Sequence, residues 1–157
     1  MNAILVSVIS SVSGALAAYT FNFFHWRMVN KNQSMIESGK VLLNYIEKIE
    51  TTSMKYWSTD SLTDDTQRVK SEKKINEIEL KSLLKLTNSL INDFTSISHD
   101  KLLASEAFKL HSFLEKCFDL ITGDEFETID KKADFNKCAK LANEFNLIKV
   151  IILKKTY

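Results

Sequence analysis

Three histidines, two cysteines and 20 acidic residues are the side chains of this chain best suited to chemistry. His99 and Asp100 are adjacent. Such an acid–base doublet can hold a metal ion for phosphoester hydrolysis, but a working site needs three or more donors. The remaining histidines are His25, inside the aromatic–basic run Phe24-His25-Trp26-Arg27, and His111, which cannot complete the set alone. The doublet is expected instead to start a helix, with Ser98 as its N-cap and Asp100 in its first turn.

The other catalytic patterns fail on residue types. A di-iron bundle needs Glu three residues before His on paired helices. Those positions before His99 and His111 hold Ser96 and Phe108. An arginine–histidine pair of the kind used by small helical ribonucleases needs a His close after Arg, and none follows Arg68 closely. His111 and Glu115 stand four apart, yet two ligands do not make a metal site. Gly14, Gly39 and Gly123 are isolated, so no glycine-rich phosphate loop exists, and there is no Gly-x-Ser-x-Gly nucleophile motif. Cys117 and Cys138 fall on apolar stripes, where free thiols behave as small hydrophobes in a reducing compartment. Outside the cell they would be candidates for a disulfide. No enzyme, no metal and no cofactor is expected.

Tyr56 and Trp57 are the most conspicuous aromatics beyond the N-terminal region, and they precede a polar stretch from Ser58 to Asp65. They are candidates for a partner contact, because exposed Tyr and Trp often anchor interfaces. The competing role is to close the end of a helical core.

The elements that position these residues are expected to be helices throughout. The 157-residue chain has no proline and three glycines, too few for the tight turns of a strand-rich fold. Its 20 acids and 21 bases nearly cancel, which gives no electrostatic argument for nucleic acid. Arg27 and Arg68 are the two arginines and the other nineteen bases are lysine, a bias typical of an AT-rich bacterial or mobile-element gene. No small-molecule substrate is evident.

From Ala3 to Phe24 there is no charged residue. About 20 apolar residues span a hydrocarbon core roughly 30 Å thick, so residues 1–27 are expected to form a transmembrane signal-anchor helix. Trp26, Arg27 and Lys31 follow in the order of a membrane interface. No basic residue precedes the run, which puts the N-terminus outside and residues 28–157 in the cytoplasm. The missing basic leader and the continuation to Phe24 argue against cleavage after Ala17. Ser7, Ser10, Ser11, Gly14 and Ala18 form small-residue faces suited to packing on another membrane helix.

Residues 28–157 are expected to fold as an antiparallel bundle of about four helices. The first runs from about Asn30 to Trp57, directly out of the membrane segment, with Met35, Leu42, Ile46, Ile49 and Tyr56 inward. The second covers about Leu62 to Ile97 after a cap at Ser61 with Asp64 in the first turn. It starts charged, with acid-first pairs Asp64–Arg68 and Glu77–Lys81, and ends on the stripe Leu83, Leu86, Leu90, Phe94 and Ile97. Leu80, Leu84 and Ile91 widen that stripe. The third buries Leu103, Ala107, Leu110, Leu114, Cys117 and Ile121 and stops at a left-handed Gly123. The fourth, about Lys132 to Leu153, turns Phe135, Cys138, Ala142, Phe145, Ile148 and Ile152 inward. A coiled-coil hairpin of the first two helices on a smaller core is the alternative arrangement.

The function that follows is a membrane-anchored helical interaction or accessory protein at the cytoplasmic face of a bacterial inner membrane. Immunity factors, antiviral defence or phage-exclusion components and subunits of membrane complexes have this organisation. Its partners would be the lipid bilayer and either a protein partner or a homo-oligomer formed through the membrane helix. Two alternatives stay open: a membrane-perturbing effector or lysis protein whose N-terminal helix oligomerises, and a periplasmic, spanin-like helical subunit.

Overall fold

Helix-forming residues run almost without a breaker, and the computed structural model is correspondingly all-α. Its helices are α1 Asn2–Ser58, α2 Gln67–Ile97, α3 Ala104–Thr122 and α4 Phe135–Thr156. The structure describes residues 2–60, 67–123, 126–128 and 132–157, with side chains from residue 10 onward. The expected cap at Ser61 and Asp64 and the Asp64–Arg68 pair lie outside these residues. By internal contacts the chain divides into two units, Met1–Ser34 and Met35–Tyr157.

Within Met35–Tyr157 the helices run antiparallel to their neighbours. Along α1, Gly39 lies against Thr156 and Ile152 of α4, Glu50 pairs with Lys149, and the Asp134 N–H donates to the Trp57 carbonyl at 2.8 Å. Rising numbers on α1 therefore meet falling numbers on α4. The same reversal joins α1 to α2, through Gly39 beside Phe94 and Tyr56 bonded to Glu77. It joins α3 to α4 through Glu106–Lys155 at 2.9 Å and the edge-on pair Phe113–Phe145, whose centroids are 5.5 Å apart.

The core is built by the heptad-like stripes. Met35, Leu42, Ile46, Ile49, Tyr56 and Trp57 of α1 are buried with Leu80, Ile91 and Phe94 of α2, Leu110, Phe113 and Cys117 of α3, and Leu141, Phe145 and Ile152 of α4. The α1 register agrees with the expected positions. In α2 the centre of the stripe is Glu77, Leu80, Leu84, Thr87, Ile91 and Phe94, while Leu86 is exposed and Leu90 and Ile97 are only partly buried. Glu77, expected on a solvated face beside Lys81, is buried, and Lys81 pairs with Glu127 at 2.8 Å instead. Phe135 and Leu103, expected inward, are exposed, the one at the first residue of α4 and the other at the N-cap of α3.

The helix ends also depart from expectation. Ser98 is buried at the end of α2, and its hydroxyl donates back to the Phe94 carbonyl rather than capping α3. Glu106 does that job from inside α3, its carboxylate accepting the Leu103 N–H at 2.9 Å. Asp134 caps α4 by accepting the Lys137 N–H at 2.8 Å. Gly123 has φ −75°, so it is not a left-handed cap. Its backbone instead presses so close to the Asp119 carbonyl that an added Cβ would stand 2.5 Å from that oxygen.

In Met1–Ser34, α1 carries many exposed apolar side chains. Val12, Leu16, Tyr19, Phe21, Phe24 and Trp26 are all exposed, and nothing lies within 4 Å of where a Gly14 Cβ would be. Among the described residues no helix is long and apolar enough to cross a membrane. From Ser10 to Trp26, serines, Gly14, Thr20, Asn22 and His25 dilute the apolar run below the ~20 residues a bilayer core demands. The expected membrane crossing thus has no support from the described residues.

Gly39 is the tightest helix contact. A Cβ there would meet Thr156 Cγ2 at 2.0 Å and Phe94 Cε2 at 3.1 Å. Gly39→Ala gains up to about 1 kcal/mol of helix propensity but overpacks this crossing, which typically costs about 1–3 kcal/mol. Thermal unfolding should show a lower Tm for Gly39→Ala, and little or no loss when Thr156→Ala is added to make room. Equal losses in both backgrounds would mean that this contact does not limit the packing.

Candidate functional site

The densest cluster of polar and aromatic groups closes the end of the bundle where α1 stops and α4 begins. Steps of three and four from the α1 core stripe carry the chain to Tyr56, with Trp57 beside it, so both rings turn inward and are 1% exposed. The Tyr56 hydroxyl donates to Glu77 Oε1 at 3.1 Å and accepts the Glu127 N–H at 3.1 Å. Phe126 leans on the Tyr56 ring with centroids 5.1 Å apart, and Trp57 meets it edge-on at 5.2 Å. Lys137 is buried, with Nζ 3.7 Å from the Trp57 ring centroid and 3.3 Å from the Gly123 carbonyl it donates to. A cation over an indole face is stabilised by the ring quadrupole.

Lysines surround the acids of this cluster. Lys74 lies 3.4 Å from Glu77 Oε2 and 3.7 Å from Glu127, and Lys81 lies 2.8 Å from Glu127. The Lys81 hydrogen bond is the main reason that the Glu127 carboxyl sits below its ordinary range. Glu127 has φ 65°, a left-handed backbone rare for a side chain of its size. Bonds at both its N–H and its carboxylate hold it there.

Chemically this arrangement is a lock rather than a reactive centre. Burial raises the Tyr56 phenol far above its ordinary value, the Glu127 N–H opposing and Glu77 reinforcing the shift. The Cys117 thiol is likewise pushed up by burial, then by Glu144. Both hold their protons at neutral pH and neither is activated as a nucleophile. Cys117 and Cys138 are free thiols, and the Cys138 sulfur stands 4.0 Å from the Met54 carbonyl.

The remaining candidates are dispersed. His99 and Asp100 are exposed, 3.5 Å apart on the α2–α3 turn, and His111 is exposed on α3. Among the described residues no group of three His, Cys, Asp or Glu could hold a metal ion. Ser10, Ser11, Gly14 and Ala18 are exposed along the first part of α1, as are Trp26, Arg27 and Lys31; the Ser7 side chain lies outside the described residues. Tyr56 and Trp57 offer no surface to a partner. Of the residues that hold them, Glu127 and Lys137 were not singled out by the sequence pattern, and Glu77 was read as half of a solvated pair with Lys81. The usable signal was that Lys137 precedes Leu141 and Phe145 by steps of four on the inward face.

A second feature is on the outside. The exposed line of α4 reads Leu147, Val150, Leu153 and Tyr157, at steps of three, three and four. It borders an open groove of about 690 Å³ between α3 and α4, whose other lining residues include Lys109, Lys116 and Lys154. No protein family, curated protein or solved structure matches this chain.

Tyr56→Phe removes the donor to a buried carboxylate and the acceptor of the Glu127 N–H. Leaving buried polar groups unpaired costs about 1–3 kcal/mol. Chemical denaturation should show a loss of that size with an unchanged m-value. A loss under ~0.5 kcal/mol would mean that water replaces the hydroxyl at no cost.

Proposed function

We propose that the chain is a membrane-tethered helical interaction module: its N-terminal helix enters the bilayer and its bundle engages a protein partner. The observation that carries this reading is the first part of α1, whose Val12, Leu16, Phe21, Phe24 and Trp26 are all exposed. So many exposed large apolar side chains on one helix call for an apolar medium, and lipid supplies one. The charge-free run beginning at Ala3 brings the whole segment close to bilayer length, and Trp26, Arg27 and Lys31 follow at headgroup position. Arg27, Lys31 and Lys40 favour the cytoplasmic side for the bundle. Small residues at Ser7, Ser10, Ser11, Gly14 and Ala18 would let two such helices approach. Immunity, phage exclusion and assembly of a membrane complex are all tasks that a tethered binder of this kind performs.

The test is flotation of the full chain with phosphatidylethanolamine–phosphatidylglycerol vesicles. Wild-type protein should float with the lipid and stay bound at high salt. A Val12→Lys, Leu16→Lys variant should remain in the soluble fraction with the thermal unfolding of its bundle unchanged, since each central charge costs about 2.5–3.5 kcal/mol in lipid. Wild-type protein that stays soluble beside the vesicles would contradict the tether.

A further inference from the structure

We propose that the groove between α3 and α4 binds an acidic amphipathic helix of a partner protein. This deepens the reading of the bundle as an interaction module and rests on that half of it, not on the tether.

The last three turns of α4 are apolar on two opposite sides. Phe145, Ile148 and Ile152 face the core, while Leu147 and Val150 remain 61% and 48% exposed. Such two-sided apolarity belongs to a helix covered on both faces, and the described residues cover one. Residues at 147, 150 and 154 recur at the three- and four-residue spacing into which a facing helix sets its own side chains. The groove beside them has a buried floor at Ile148 and walls from two helices, so it is concave. A flat lipid surface cannot fill a concave trough, whereas a helix laid along it can.

Charge selects the occupant. Lys109 and Lys116 line the groove from α3 and Lys154 lines it from α4, against one acid, Glu144. Glu144 already lies 4.0 Å from Lys116. Neighbouring lysines that could have joined them are neutralised within the bundle: Lys149 pairs with Glu50 and Lys155 with Glu106. No ion pair joins Lys109 or Lys154 to a described residue, although, behind the Lys155 hydrogen bond, Lys154 also helps to draw down the nearby Glu106 carboxyl; the groove lining keeps three lysines to one acid beside its apolar residues. A second copy placed on the same groove would set lysine rim against lysine rim, which like-charge repulsion disfavours. A partner helix with acids flanking its apolar seam satisfies both the strip and the rim.

The experiment measures binding of two labelled synthetic helices to the full chain by fluorescence anisotropy, in the presence of phosphatidylcholine vesicles. Both peptides carry the same leucine–isoleucine seam; one has glutamate at the flanking positions and the other lysine. The glutamate peptide should bind about tenfold more tightly or better, with the gap shrinking as salt is raised. Val150→Glu should abolish binding. A Lys109→Glu, Lys116→Glu, Lys154→Glu variant should reverse the preference toward the lysine peptide, which a misfolded protein could not do. Equal affinities, no binding, or an unreversed preference would overturn the proposal. So would displacement of the glutamate peptide by phosphatidylglycerol vesicles, which assigns the face to lipid. A dimer in sedimentation that dissolves on Val150→Glu would assign it to a second copy and overturn it equally. Flotation of the same samples reports the tether separately, so its failure is distinguishable from failure of the groove.

Discussion

At Gly39 the backbone of α1 comes against Thr156 and Ile152 of α4 and Phe94 of α2, close enough that no side chain fits between them. Three helices are brought into one layer there. From that layer the antiparallel register runs through Glu50–Lys149 to the Trp57 carbonyl and the Asp134 N–H at the other end. A closely packed bundle has few ways to shift one pair of helices without shifting the rest. The close approach at one end and the hydrogen bond at the other therefore fix how α4 lies on α1. That placement in turn decides which face of α4 is left outside.

The end cluster shows how an all-helical core accommodates charge. Glu77 and Lys137 are both buried, yet neither is isolated: one is held by Tyr56 and Lys74, the other by the Trp57 face and the Gly123 carbonyl. Breaking one partner of such a set costs more than the set contributes as a whole, which makes it an effective lock on register. Tyr56 and Trp57 are consumed by this task. The proposed recognition surface is instead the strip along α3 and α4, where Leu147 and Val150 stay exposed beside Lys109 and Lys116.

Much of this was legible in the residues. The absence of proline and the periodic apolar positions of α1 read correctly as one continuous helix with Met35, Leu42, Ile46, Ile49 and Tyr56 inward. The α2 stripe was displaced, because Leu86 and Leu90 outweigh Thr87 on any hydrophobicity scale while geometry puts Thr87 at the centre. Spacing alone could not show that Glu77 and Lys137 turn inward, since their burial depends on partners far away in sequence. The end of α4, Leu147 to Leu153, is helical as expected, and its excess of apolar residues forms a second helical face. Helix starts were the weakest point, as Leu103 and Phe135 show, because a periodic pattern does not say where the neighbouring helices end.

The proposed tether and the proposed binding face are compatible only if the bundle lies on the side of the membrane that holds its partner. The most direct test is side-specific labelling in intact bacterial cells of a Cys117→Ala, Cys138→Ala protein carrying Thr59→Cys at an exposed position beyond α1. Protection from a membrane-impermeant maleimide until the inner membrane is opened is the predicted result. Labelling with only the outer membrane permeabilised would contradict it and place the bundle, and its basic groove, in the periplasm.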